Sequence, residues 1–187
     1  MSKSSKKVED LPKYWVKKMR TQFKRFDADG DGVLTKADHI LIAERLIKAG
    51  NLSGEEANRV HRIFTFLWDD FSTSKTQMTE EEMILNNFKF IHDDRFKPWF
   101  EDQYKLYYDA MDVKKTGQIS LENFKSFYAV LGIDATFADA VFAYIDDDSN
   151  GLINRGEFMT AAEEYLYDIF ADDSANNHFW GPLLEDA

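Results

Sequence analysis

The chain has 187 residues, 44% of them hydrophobic and none of them cysteine, so it can bury a substantial core without disulfides, thiolate zinc sites or a cysteine nucleophile. Its formal net charge of −11 favours cations as partners and discourages nucleic-acid binding. No apolar run is long enough to span a bilayer and no secretory h-region follows the amino terminus, so a monomeric cytoplasmic protein with no membrane span is expected.

Taken in chain order, the first feature is a basic stretch. Residues 1–25 carry nine Lys or Arg against Glu9 and Asp10, leaving the remainder at −18. It runs into a helix predicted over 11–26, whose charge suits packing against an acidic body. Residues 27–38, DADGDGVLTKAD, then follow the pattern of an EF-hand loop. Calcium is a hard cation that takes about six to eight oxygens, and such a loop offers them at alternate positions. Asp27, Asp29 and Asp31 supply carboxylates, Val33 its carbonyl, Thr35 a hydroxyl or a bridging water, and Asp38 the closing carboxylate. Gly32 sits where the chain must turn with positive φ. Because Asp38 is one methylene shorter than the usual Glu, it favours one-oxygen ligation and six-coordination, which admits magnesium beside calcium.

Helices are predicted over 36–49 and 54–70, leading to a second register at 71–82, FSTSKTQMTEEE. It lacks the needed chemistry: Phe71 stands at the first ligand position, Lys75 at the fifth, and Thr76 replaces the turn glycine. Thr79 and Glu82 form a capping box for a helix over 80–92. The segment HDDRFKPWF marks the joint between halves, since Pro98 suits a helix's first turn and disfavours helix before it.

After a helix over 98–111, residues 112–123, DVKKTGQISLEN, keep Asp112, Thr116, Gly117 and Ser120 but lose two ligand positions to Lys114 and Asn123. This loop reads as retained for structure, supporting its neighbour rather than binding an ion. Helices over 121–131 and 136–145 lead to 146–157, DDDSNGLINRGE, a complete register. Asp146, Asp148 and Asn150 offer side chains, Leu152 its carbonyl, Asn154 a further oxygen, and Glu157 a bidentate closer that suits calcium. The last predicted helix covers 155–170, and the apolar cluster Phe179, Trp180, Pro182, Leu183 and Leu184 is expected to fold back onto the body.

The four registers form a repeat. Leu34, Met78, Ile119 and Ile153 occupy loop position eight, where paired loops exchange a short strand. Phe23, Leu67, Tyr108 and Phe142 lie four residues before each loop, on the face an incoming helix would bury. Thr35, Thr79, Ser120 and Asn154 are N-cap residues at position nine. The expected fold is all-α: four EF-hand units in two pairs, 1–94 and 95–187, with two-stranded β-bridges between paired loops, packed into one compact globule.

The stretch YWVKKMRTQFKRFDADGDGVLTKADH, the FLWDDF before a degenerate second loop and the ending NNHFWGPL together resemble the invertebrate sarcoplasmic calcium-binding proteins. The resemblance spans nearly the whole chain. It implies two packed EF-hand pairs, calcium and magnesium binding, and a buffering role in the cytosol of muscle or neurons. Many members of that family keep the third loop competent, whereas this chain has Lys114 and Asn123 there; two calcium sites are therefore expected, with magnesium possible at the first.

Three roles follow. A buffer stays closed on binding, a sensor opens a groove that is often rich in methionine, and a carrier encloses a hydrophobic ligand. With 16 Phe, 8 Tyr and 4 Trp against six Met, the composition favours a closed buffer. Calexcitin-like sensing and coelenterazine-binding-like carriage of a small molecule remain as alternatives, the fold being similar to both. Catalysis is not expected: His39, His61, His92 and His178 are scattered, and no nucleophile elbow or phosphate loop is present.

Overall fold

The computed structural model describes residues 7–72, 75–169 and 178–184. A 3-10 turn at Val8–Asp10 precedes helix α1, Lys13–Phe26. The helix starts two residues later than predicted because Pro12 takes the N-cap place while Leu11 turns into the core. Trp15, Met19, Phe23 and Phe26 recur at three- and four-residue spacing and form one buried stripe. Strand β1 (Val33–Thr35) and helix α2 (Lys36–Ala49) complete the first unit, and α3 (Gly54–Phe71), β2 (Gln77–Thr79) and α4 (Glu80–Phe90) the second.

The predicted joint is a 3-10 turn at Asp94–Phe96, capped by Asp93, with Phe96 stacked on Phe90 at 4.1 Å between ring centroids. Helix α5 (Lys97–Met111), β3 (Gln118–Ser120), α6 (Leu121–Val130), α7 (Ala135–Ile145), β4 (Leu152–Asn154) and α8 (Arg155–Tyr167) form the third and fourth units. Helix α8 stops short of the predicted 170, a position outside the described residues. No helix among the described residues is long and apolar enough to cross a membrane.

Strand β1 pairs antiparallel with β2, and β3 with β4. Leu34 faces Met78 and Ile119 faces Ile153, each pair buried, so the period-two pattern of three residues around position eight is enough to set the register. At the strand ends the side chains of Thr35, Thr79, Ser120 and Asn154 each accept a backbone N–H of the helix that follows. The two pairs pack on each other through α2 against α6 and α3 against α5. This is the all-α, four-unit architecture with two β-bridges.

Two further ties close the body. Lys18 of α1 is wholly buried, and its Nζ donates to the carbonyls of Tyr165 (2.7 Å) and Asp168 (2.5 Å) at the end of α8, where a cation is favoured by the helix dipole. The Trp15 indole donates to the Leu166 carbonyl beside it. The segment 178–184 does fold back: Phe179 and Trp180 are 1% and 0% exposed. Tyr128 donates its hydroxyl to the Phe179 carbonyl, Arg25 donates to the Trp180 carbonyl, and the Leu184 N–H donates to Thr21.

Candidate metal centres

In the first loop the helix end and two glycines wrap backbone donors around Asp27, whose carboxylate accepts from Gly30 N at 3.0 Å and Gly32 N at 3.1 Å. Gly32 has φ +89, a region that penalises side-chain-bearing residues. Asp38 is 1% exposed; one oxygen accepts from Ala28 and Asp29 N, the other from Thr35 N and its hydroxyl. One oxygen from each of Asp27, Asp29 and Asp38 lies within 4.8 Å of the others.

Asp31 is not part of that group: its carboxylate accepts from Val33 N at 2.9 Å, the local turn that a short acidic side chain makes with the donor two residues on. Thr35 is engaged as the helix cap and as the partner of Asp38. His39 lies directly behind, its ring tilted against Trp68 at 5.4 Å between centroids, and burial pushes its pKa down to about 4, so it is a neutral wall of the loop.

The fourth loop repeats the design. Asp146 accepts from Asn150 N and Gly151 N, Asn150 Oδ1 accepts from Leu152 N, and Glu157 accepts from Asn154 N while its own N–H donates to Asn154 Oδ1. Oxygens of Asp146, Asp148 and Glu157 again lie within 4.8 Å of one another.

Three carboxylates at such spacing repel by at least about 3.5 kcal/mol per pair at an effective dielectric of about 20. Among the described residues no Lys or Arg forms an ion pair with any of the six. An all-oxygen, strongly anionic donor set around a preformed turn fits a hard divalent cation.

The other two loops are built differently. In the second, Phe71 turns into the core against Trp99, and Lys75 Nζ lies 2.6 Å from Glu82 Oε1 while Glu82 Oε2 accepts from Thr79 N. An ammonium thus joins positions five and twelve. In the third, Asp112 keeps the bonding of Asp146, accepting from Thr116 N and Gly117 N at positions five and six, and shares the position-six donor with Asp27. The Thr116 hydroxyl lies 2.9 Å from Asp112 Oδ1 and 2.8 Å from the Gln118 carbonyl, bridging the oxygens of positions one and seven. Arg59 of α3 clasps the same loop from the other half, donating to the Asp112 and Val113 carbonyls. Sequence reasoning missed both Lys75–Glu82 and Arg59. The first was visible as a Lys and a Glu seven residues apart in one loop; the second had no local signal.

A cavity of about 60 Å³ lies between the halves, lined by Gln22, Trp68, Phe90, Tyr104 and Tyr107 among others. The buried Gln22 Oε1, Tyr104 hydroxyl and nearby Trp180 Nε1 have no well-formed hydrogen bond, although Gln22 and Trp180 are polar neighbours of Tyr104. Burial raises the Tyr104 pKa well above its usual range, so the phenol is neutral.

Comparison with known proteins is consistent with this layout. The EF-hand domain pair family matches residues 115–165, and the EF hand family matches residues 19–38. The sarcoplasmic calcium-binding protein of Hediste diversicolor is 33% identical over 91% of this chain and 98% of its own length. The luciferin-binding protein of Renilla reniformis is 32% identical over 91% and 95%. Among solved structures, the coelenterazine-binding protein from Renilla muelleri in its calcium-loaded apo form has a TM-score of 0.82 at 29% identity, covering 92% of this chain and 97% of its own.

Proposed function

The chain belongs to the EF-hand family that includes the sarcoplasmic calcium-binding and luciferin-binding proteins, and from that premise we propose that it is a calcium buffer with two working sites. Asp27, Asp29, Asp31, Val33, Thr35 and Asp38 would hold one ion; Asp146, Asp148, Asn150, Leu152, Asn154 and Glu157 would hold the other. The observation that carries the reading is the contrast among loops: two gather three unpaired carboxylates, while the other two engage their remaining acids with Lys75 or Thr116. Ion entry would turn Asp31 and Asn150 from the N–H groups they now accept. Asp38, held at both oxygens by loop donors, would present one oxygen, so the first site would also take magnesium. Each pair of units, 1–94 and 95–187, would then carry one working loop and one supporting loop.

A closed buffer fits the interior better than a carrier does. The central cavity of about 60 Å³ has room for a few waters, whereas ligand pockets start near ~300 Å³. The relatives named for luciferin and coelenterazine binding keep the carrier as the second reading, and the unpaired Gln22 and Tyr104 atoms are what favour it.

Calorimetric titration with and without magnesium tests the proposal. Two calcium sites are expected, one weakened by magnesium, and Glu157→Gln should remove the other. Three or four tight sites in the parent chain would refute the loop assignments.

A further inference from the structure

Asn150 is the one asparagine in the chain followed directly by glycine. In that sequence the backbone nitrogen of the following residue can attack the side-chain Cγ, since glycine has no Cβ to obstruct the approach and little conformational restriction. The loop gives each participant a polar partner. Gly151 N donates to Asp146 Oδ2 at 2.9 Å, so an acceptor already sits on the proton that the nucleophile must lose. Asn150 Oδ1 accepts from Leu152 N at 2.8 Å, which polarises the carbonyl under attack and holds a donor where negative charge would develop. Asn150 is exposed, and a Cβ built on Gly151, at φ +81, would meet nothing within 4 Å, so no other group packs over this part of the turn.

We propose that Asn150 is a self-modifying position whose deamidation, through its isoaspartate product, retires the fourth loop when it stands without calcium, and that a bound ion protects it. The Gly151 nitrogen loses its proton and bonds to Asn150 Cγ, the side-chain nitrogen leaves as ammonia, and a succinimide ring remains. Water then opens the ring at either carbonyl, giving aspartate or isoaspartate, with no change of oxidation state. Aspartate at position five restores the chemistry of Asp31 in the first loop. Isoaspartate adds a methylene to the backbone between positions five and six, which displaces the turn at Gly151 and the Leu152 carbonyl. Protection rests on the reading of 146–157 as a calcium site: with Oδ1 on an ion, the Asn150 side chain cannot swing to meet the Gly151 nitrogen.

The first loop is an internal control. Gly32 N donates to Asp27 and Val33 N to Asp31 in the same geometry, but Asp31 presents a carboxylate, a much poorer electrophile than an amide. The test incubates the full chain at mildly alkaline pH with EDTA or with excess calcium and maps residues 146–157 by peptide mass. Isoaspartate is scored by enzymatic methylation and site number by calorimetry. Ammonia loss confined to Asn150 is expected in EDTA, with isoaspartate formed and one calcium site lost in proportion. At calcium about 100-fold above the dissociation constant the rate should fall by about 100-fold. Asn150→Asp should bind calcium in the fourth loop and lose no ammonia. An unchanged Asn150 in EDTA, or conversion spread over the other asparagines, overturns the proposal. Equal conversion in both arms overturns the protection if the fourth site titrates normally, and overturns the two-site reading if it does not.

Discussion

Lys75 lies within the second loop as a tethered cation. Its ammonium, 2.6 Å from Glu82, joins loop positions five and twelve, and the other Glu82 oxygen accepts from Thr79, the residue opposite Val33 in the β-bridge. Because Val33 offers the carbonyl proposed as a ligand in the first loop, the ion pair supports that carbonyl's position without any ion of its own. Lys75→Met is therefore expected to leave the number of calcium sites unchanged while weakening the first site by roughly two- to fivefold, the scale of an exposed pair. The effect should fade at high salt. Titrations of the parent chain and Lys75→Met at two ionic strengths would check it, and an unchanged first site would show that Lys75 is only a solvated partner of Glu82.

At the scale of the elements, what was legible in the sequence was what is local. Position-eight residues, N-caps at position nine and apolar residues four before each loop depend on chain neighbours a turn or a strand away, and all are placed as periodicity requires. Lys18 capping α8 and Arg59 clasping the third loop join residues 147 and 53 apart, and no local pattern distinguishes such cations from solvated ones. The departure of Asp31 from the first carboxylate group was equally hidden, because it turns on a choice between a local N–H and the loop centre. The third loop shows how much scaffold survives the loss of ligands. Asp112 keeps its full set of backbone donors, so only positions three and twelve are chemically wrong. Lys114→Asp with Asn123→Glu should create a third calcium site with little change in stability, read by calorimetric stoichiometry; if two sites remain, the Thr116 bridge or the Arg59 clasp holds the loop shut.

At the scale of the molecule, the choice between buffer and carrier turns on what fills the space between the halves. Trp180 is wholly buried, with ring contacts to Phe26 (5.2 Å), Tyr107 (5.3 Å) and Phe179 (5.0 Å), and Phe26, Tyr104 and Tyr107 also line the central cavity. The turn behind it is tight: Gly181 has φ +87, and a Cβ there would come within 2.9 Å of Ile133. The indole is thus a wedge, fixed at one end by the Gly181 turn and at the other by Tyr128 on the Phe179 carbonyl. Trp180→Ala should cost about 3–5 kcal/mol in denaturant unfolding, the range for deleting a large buried aromatic. It should also open the 60 Å³ cavity toward the vacated volume, leaving Gln22 and Tyr104 to face a larger, mostly aromatic chamber. A fluorescent hydrophobic probe should then bind the variant with or without calcium while the parent chain stays dark in both states. Calcium-dependent probe binding by the parent would instead identify a sensor, and calcium-independent binding by the parent would identify a carrier whose interior opens without removal of the wedge.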